Sequence, residues 1–380
     1  ECGPYLAFCN ELEPLLLLPD FVPNVHLDAV ADYFCLGATL GGETFVKGIV
    51  NLPPATLMEV SIRSVSKVRY WKTTISLNRA AAIEEHAKRL SDTLKVIVQE
   101  MADQLTNLNC LLSAGADSRL ILSCLRQDQR ASIPFLTSKL SFLSANEDKD
   151  LIGAQQLANR LNLQHKILEI AFSERDFGPE YFDEVKHSKE AKILGGWHGG
   201  EFLGGFCAKA APMQHSLTFQ EVDFKLRNTF SWRIRRKLSR HPFAHYEAKK
   251  ASFSTENAEF HFQIDQFCRS FFGDIYQGSR GSWLQPFELI NQGFSPFWDS
   301  RFLQQLLTGP FAMIADYHLY NVIFRNCLTE LTDIPSNSPL TMRADCAIPP
   351  MKDGIEPKNV LKPKYQNALQ RFVNDPKTWQ

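Results

Sequence analysis

An α/β fold with a parallel sheet covered by helices is what this sequence predicts, and three observations predict it. Between residues 80 and 170 the apolar pattern alternates helix, strand, helix, strand, helix, strand, an order that yields parallel strands joined by helical crossovers. The stretch Asn107–Arg119, Asn-Leu-Asn-Cys-Leu-Leu-Ser-Ala-Gly-Ala-Asp-Ser-Arg, carries an apolar run through small residues into helical spacing. Further on, a strand ending at Leu194 breaks into a turn with six glycines between Lys192 and Phe206. Glycine at that density argues for left-handed turns or close approach of backbone to a ligand.

Taken in order, Glu1 to about Thr74 reads as short strands and turns with one helix near Leu27–Leu36, and Thr74–Arg79 as a polar connector. Ala80–Thr106 predicts a long helix, with Ile83, Ala87, Leu90, Leu94, Val98 and Met101 spaced by threes and fours. Leu111 and Leu112 end a buried strand, Ser113, Ala114 and Gly115 make the turn, and Leu120, Ile121, Leu122 and Leu125 continue as a helix. Ser132–Thr137 predicts a second strand, Ser138–Asp148 a polar loop, Asp150–Leu161 a helix and Leu163–Leu168 a third strand with His165 as a strand-end residue. The basic span Phe230–Lys250 reads as a solvated helix face, and Phe260–Leu289 as helical and apolar.

The turn at Ser113 has a chemical reading of its own. A strand that turns through small residues into a helix aims backbone N–H groups and the positive end of a helix dipole at one point, which suits a phosphate or pyrophosphate. The hydroxyls of Ser113 and Ser118 would add donors, and Asp117 would face a metal or cap the helix. The Gly-Lys-Ser/Thr ending of the Walker pattern is missing. Ligands of parallel sheets lie beyond the carboxyl ends of the strands, where this turn falls.

Composition sets the outer limits. With 380 residues, 44% hydrophobic and 22% charged, the chain can hold two domains with proper cores. A formal net charge of −1 gives no overall pull toward nucleic acid or a membrane surface. The nine cysteines show no C-x-x-C pair or zinc-like spacing, which fits reduced thiols in a cytoplasmic protein. The greasiest run, Leu15–Leu18, is far too short to span a bilayer.

Residues 113–118, Ser-Ala-Gly-Ala-Asp-Ser, resemble the Ser-Gly-Gly-x-Asp-Ser pyrophosphate loop of the N-type ATP pyrophosphatases, and among those the asparagine synthetase family. Tyr5–Leu15 resembles that family's A-S-E-L-K-A-L strand and turn. Glu43–Ile49 with Leu52-Pro-Pro-Ala resembles T-x-F-x-G-I-x-x-L-P-P-G, and Tyr70-Trp71 the Y-W that closes its glutaminase domain. Asp150–Leu161 is similar to the D-x-x-x-A-x-x-x-A-x-x-L helix, Lys192–Phe206 to V-L-S-G-x-G-x-D-E-L-F-G-G-Y, and Pro296–Leu303 to P-F-L-D-x-R-x-V/L. In that last stretch Asp299 and Arg301 read as a structural pair. Tyr317–Arg325 and Leu331–Pro335 continue the match, so that the resemblance covers most of residues 5–335.

The resemblance implies a truncated, β-rich remnant of an N-terminal-nucleophile glutaminase over residues 1–74, then an adenine nucleotide alpha-hydrolase-like synthetase domain with a helical C-terminal part over 80–380. Cys2 lies too close to end-of-domain motifs to be a glutaminase nucleophile, and the chain is either a piece or has lost that half. The implied chemistry is ATP-dependent activation of a carboxylate as an acyl-adenylate, with ATP and Mg²⁺ as cofactors. The partners implied are a small-molecule carboxylate and an amine donor (aspartate, and ammonia or glutamine), with no nucleic acid, no membrane and a homodimer allowed.

Site residues carried over by the same resemblance are Leu112, Ser113, Ala114, Gly115, Asp117, Ser118, Leu136, Thr137, Gly195 and Gly196 for ATP and pyrophosphate. Asp117 and Glu201 are the implied catalytic carboxylates and Mg²⁺ ligands. Glu201 takes that place only with a one-residue gap; without it, Trp197 replaces the family's catalytic glutamate and Gly200 its metal-associated aspartate. Lys352, Lys358, Lys362 and Lys364 are equal candidates for the family's downstream lysine. The rival readings are a nucleotide-binding or scaffold protein that kept the fold without the catalysis, and a ligase for a substrate other than aspartate, of the lactam- or polysaccharide-modifying kind.

Overall fold

The structure, a computed structural model, describes residues 6–9, 12–36, 39–53, 55–70, 82–140, 145, 148–170, 192–196, 199–200, 202–203, 218–251, 293–309, 317–327, 329–342 and 345–351. These fall into two units, one from within Glu1–Lys72 and Pro212–Gln285, the other from within Thr73–Ala211 and Pro286–Ala368. The sequence reading runs one domain from 80 to 380, whereas in the structure the 219–251 helices group with the N-terminal unit. The apolar core explains why: Val30, Ala31 and Cys35 pack with Val222, Leu226 and Phe230.

In the first unit, Glu13–Leu16 (α1) is a single helical turn with a proline at its start, where a strand and turn was expected. Proline suits that position because it gives up an N–H that has no acceptor there anyway. Helix α2 spans Leu27–Leu36, as predicted, and the hairpin Thr56–Val60 (β1) and Val65–Arg69 (β2) is antiparallel. The Phe219–Thr229 helix starts with a capping box between Thr218 and Glu221.

Among the described residues, the second unit contains a five-stranded parallel sheet flanked by helices. Helix α3, Ile83–Gln104, precedes strand β3, Leu108–Leu111, which leads into α4, Ala116–Cys124. A short helix α5, Gln127–Ser132, then displaces the next strand: β4 runs Phe135–Leu140, three residues later than expected and into the span read as a loop. Helix α6, Lys149–Leu161, is capped by the Asp148 side chain on Leu151 N–H and closed by Asn162 in the left-handed conformation. Strands β5 (His165–Ile170), β6 (Lys192–Leu194) and β7 (Gly293–Phe294) complete the sheet.

Strand order is β5-β4-β3-β6-β7. The chain therefore builds outward from β3 through β4 to β5 and returns to the opposite side of β3 with β6. This reversal puts the topological switch point between the carboxyl ends of β3 and β6. Helix α3 packs against α4 and against the helices Ser300–Leu307 and His318–Cys327. Among the described residues, no helix is long and apolar enough to cross a membrane.

Candidate nucleotide site

Both signature turns emerge at that switch point. Residues Ser113, Gly115 and Asp117 are partly exposed, while Leu112, Ala114, Ala116 and Ser118 between and beside them are buried. The alternation leaves one polar edge open over an anchored loop. The N-cap of α4 is Gly115, which has no side chain to cap with. The first N–H groups of α4 accordingly lack intrahelical acceptors and point toward this edge.

The two serine hydroxyls hold the loop together. Ser118 Oγ lies 3.0 Å from Ser113 Oγ and accepts from Ser113 N–H at 3.2 Å, and Gly115 N–H donates to Ser113 Oγ at 3.1 Å. Ser118 Oγ is also 3.1 Å from Ser113 O and 3.3 Å from Gly115 O. The sequence reading made both hydroxyls ligand donors; in the structure they also tie the loop closed.

Asp117 is enclosed by the second turn. A Cβ built on Gly196 would lie 2.7–2.9 Å from Asp117 backbone C, Asp117 Cβ and Ser118 N, so only glycine lets the turn come this close. A Cβ built on Gly199 would meet the Phe297 ring at 2.6 Å and Asp117 Oδ1 at 2.8 Å, and one on Gly200 would lie 3.3 Å from Oδ2 and 3.5 Å from Oδ1. The backbone of both glycines thus lies against the carboxylate, where a side chain would crowd it. From across the site, the hydroxyl of buried Tyr320 donates to Asp117 Oδ1 at 2.5 Å.

A buried cation fixes the loop from behind. Arg119 Nη1 donates to Leu331 O at 2.7 Å and Ile334 O at 2.6 Å, and Nη2 donates to Pro335 O at 3.1 Å and Ala114 O at 3.4 Å. Ser336 Oγ donates to the same Ala114 carbonyl at 2.5 Å. Burial pulls the Arg119 pKa down to about 10, so the guanidinium is still charged at neutral pH. Helix α6 approaches from another side, where a Cβ on Gly153 would run into Ala114 Cβ.

Leu136 and Thr137 sit on β4 beside the loop. Leu136 O accepts from Leu112 N–H at 2.8 Å, and Leu136 packs with Ile193. Thr137 is buried, its hydroxyl donating to Leu112 O at 2.7 Å and lying 2.7 Å from His165 Nε2. A hydroxyl has one proton, so His165 Nε2 must be the donor in that contact, which fixes its tautomer. Burial holds the His165 pKa below its ordinary value. Gly195 N–H donates to Phe294 O at 2.9 Å, extending the β6–β7 pairing into the turn.

Ser113, Gly115, Asp117, Ser118 and Gly196 thus come together in one place. Glu201, Trp197 and the four candidate lysines lie outside the described residues, as does the predicted 260–289 helix. Sequence reasoning missed Tyr320, Ser336 and the role of Arg119; their contacts span more than 200 residues and leave no local signal. Asp299 caps the Ser300–Leu307 helix and pairs with Arg301, the structural part assigned to both.

In the first unit, Asp32, Glu43 and His245 offer ligand atoms within 4.8 Å of one another, a spacing that could hold a metal ion. Arg240 Nη2, however, lies 3.1 Å from Asp32 Oδ2 and 2.6 Å from Glu43 Oε2, and His245 Nδ1 lies 2.8 Å from Asp32 Oδ2. The cation of that cluster is the guanidinium.

No protein-family model matches the sequence, and no curated protein matches it. Among solved structures, the chain is similar to an NH3-dependent NAD synthetase from Campylobacter jejuni subsp. jejuni NCTC 11168 in complex with the nitrate ion, with 16% identity, 51% of this chain and 97% of that one covered, and a TM-score of 0.26. It is similar to an NMN synthetase from Francisella tularensis, with 14% identity, 53% and 97% covered, and a TM-score of 0.22. It is also similar to a U34-tRNA thiolase from Methanococcus maripaludis with its [4Fe-4S] cluster, with 10% identity, 60% and 92% covered, and a TM-score of 0.23. At such TM-scores these likenesses say nothing about the chemistry of this site.

Proposed function

We propose that the chain is an ATP-dependent, amide-forming ligase of the N-type ATP pyrophosphatase kind, similar to the asparagine synthetases. The observation that carries this reading is the Ser113–Ser118 loop at the switch point, with Asp117 enclosed by the second glycine turn. A carboxylate oxygen of the substrate attacks the α-phosphorus of ATP, the bond to the bridging oxygen breaks, and pyrophosphate leaves. An amine then attacks the acyl carbon and AMP departs. The role of the loop is electrostatic: N–H groups at the start of α4 stabilise the charge that builds on the leaving pyrophosphate.

Mg²⁺ fits the chemistry of the residues present, because the Asp117 carboxylate is a hard oxygen ligand and is approached by glycines rather than by bulkier side chains. Asp117 would hold the ion, with Glu201 as a second ligand by resemblance; when bound, it neutralises phosphate charge. Residues 1–74 are read as similar to the end of a glutaminase domain, and the amine as ammonia or one released from glutamine. Trp197, standing where the asparagine synthetases have a glutamate, favours an acid other than aspartate.

The test is ATP–pyrophosphate exchange without ammonium, across a panel of carboxylic acids that begins with aspartate. Exchange with one acid, abolished in Asp117→Ala, establishes the adenylating step and names the substrate. A folded protein with neither exchange nor detectable ATP binding rules the ligase out.

A further inference from the structure

We infer that residues 231–237 form a docking surface for a single strand of nucleic acid, read through phosphate and base: an exposed indole stacks on a base, and neighbouring cations meet the flanking phosphates. The surface lies in the first unit and does not depend on the adenylating reading. Between Ser231 and Arg240 the chain has five basic residues and no acidic one, against a net charge of −1 for the whole. The expectation of no nucleic-acid partner came from the whole-chain balance and a resemblance, neither of which describes this local excess.

The segment is anchored by its apolar members. Ile234 and Leu238, four positions apart, pack against the core cluster that includes Val30 and Leu226. Arg235 N–H donates to Ser231 O and Arg236 N–H to Trp232 O, each at 3.1 Å, and Lys237 N–H donates to Ile234 O at 2.8 Å, so the turn Trp232–Arg235 is preformed. Trp232, Arg233, Arg236 and Lys237 are left exposed. The indole of Trp232, 56% exposed, has the guanidinium carbon of Arg236 at 5.5 Å and that of Arg233 at 5.7 Å from its ring centroid, a cation–π arrangement. Arg227 is paired with Asp223, and Arg240 with Asp32 and Glu43. By contrast, among the described residues Arg233, Arg235, Arg236 and Lys237 have no carboxylate partner.

Charge complementarity calls for an anion, and the ring selects among anions. Arginine outnumbers lysine three to one in the unpaired group, and a planar guanidinium both forks to phosphate oxygens and stacks on flat π systems. Every base offers such a face, so a single strand can pass its phosphates along the cations while a base joins the indole and guanidinium. An acidic peptide would use the charges and leave the ring idle. A lipid surface needs a continuous apolar face, and the other apolar side chains here, Ile234 and Leu238, are committed to the core.

The experiment follows the fluorescence anisotropy of a labelled oligo-deoxyadenylate of about 12 nucleotides on adding the whole chain at a series of salt concentrations. The dissociation constant should be roughly 1–100 µM, and about three neutralised phosphates should give log K a slope of about −2 against log salt. Trp232→Leu keeps apolar bulk without a flat ring; it should weaken binding about 10-fold and leave that slope unchanged. Arg233→Gln with Arg236→Gln should bring the slope toward about −1. All three positions are exposed, and a circular dichroism spectrum like the parent's checks the fold of each variant. No binding by the folded parent at low salt, or binding that every variant leaves unchanged, overturns the inference. Binding that Trp232→Leu leaves intact while the arginine substitutions weaken it also overturns it, in favour of an acidic peptide. Tighter binding to phosphatidylserine vesicles than to the strand overturns it in favour of a lipid surface.

Discussion

Arg119 and Arg240 are both enclosed cations, one in each unit, and they are accommodated by different means. Arg119 is fully buried and donates to four backbone carbonyls. Arg240 lies among three carboxylates, bonded to Asp32 and Glu43 and 3.7 Å from Asp28. Carbonyl dipoles do not titrate, so the anchor behind the Ser113 loop is insensitive to pH near neutrality. Around Arg240 the acceptors carry charge of their own, and the cluster also includes His245 on Asp32 and His26 near Glu43. The Ser113 loop is held by geometry; the cluster around Arg240 in the first unit is held by charge.

Breaking the first anchor should have the largest effect. Arg119→Met leaves the Leu331, Ile334 and Ala114 carbonyls short of donors in a buried place and should cost about 3–5 kcal/mol in urea unfolding. Lysine should not rescue it, because a compact ammonium cannot fork to carbonyls on two segments. A lysine variant with the parent's stability would show that charge alone matters at this position.

Arg240→Met should cost less, about 2–3 kcal/mol near pH 7.5, because Arg240 is partly exposed. Unlike the Arg119 loss, this one should be partly recovered by lysine, because an ammonium can still pair with the Asp32 and Glu43 carboxylates. Urea unfolding of the parent, Arg240→Met and Arg240→Lys checks this. An Arg240→Lys variant no more stable than Arg240→Met would erase the contrast between the two arginines.

The smallest effect belongs to Asp28. Burial opposes its ionisation, but hydrogen bonds from Ser239 together with Arg240 outweigh that and hold the carboxyl below its ordinary 3.8. Its contribution is therefore complete above the unfolded value and disappears as pH falls through the lower folded one. Asp28→Asn should flatten the acid limb of a thermal-midpoint profile below about pH 4 and leave the neutral region's slope unchanged. A slope altered only above that range would contradict the assignment.

Much of the second unit was legible because its elements are local. Helix α3 carries its own apolar stripe, α6 its Asp148 cap, and β3 with α4 the small-residue turn between them. Helix α5 was not legible: Gln-Asp-Gln-Arg-Ala-Ser has no apolar period, and buried Gln129 is satisfied by Gln99 O and Asp103 from another helix. Missing α5 also misplaced the start of β4. The basic span was read as solvated because nothing near Arg240 in sequence reveals that its acidic partners lie 197 and 208 residues earlier. Tyr320 and Arg119 escaped for the same reason. A site's loops can be read from local pattern, whereas the side chains that brace them arrive from distant segments.

Ala114 stands where the similar pyrophosphate loops have glycine, and its methyl group points at the one residue of α6 that has no side chain, Gly153. The two positions form a lock and key of a single carbon atom, 39 residues apart in the sequence. The motif is consequently not a portable six-residue cassette. Moving it into a relative with a larger residue on the facing helix would force that helix away from the loop, whereas moving both positions together would transplant the fit. Recombination or drift in this protein must treat residues 114 and 153 as a single inherited character.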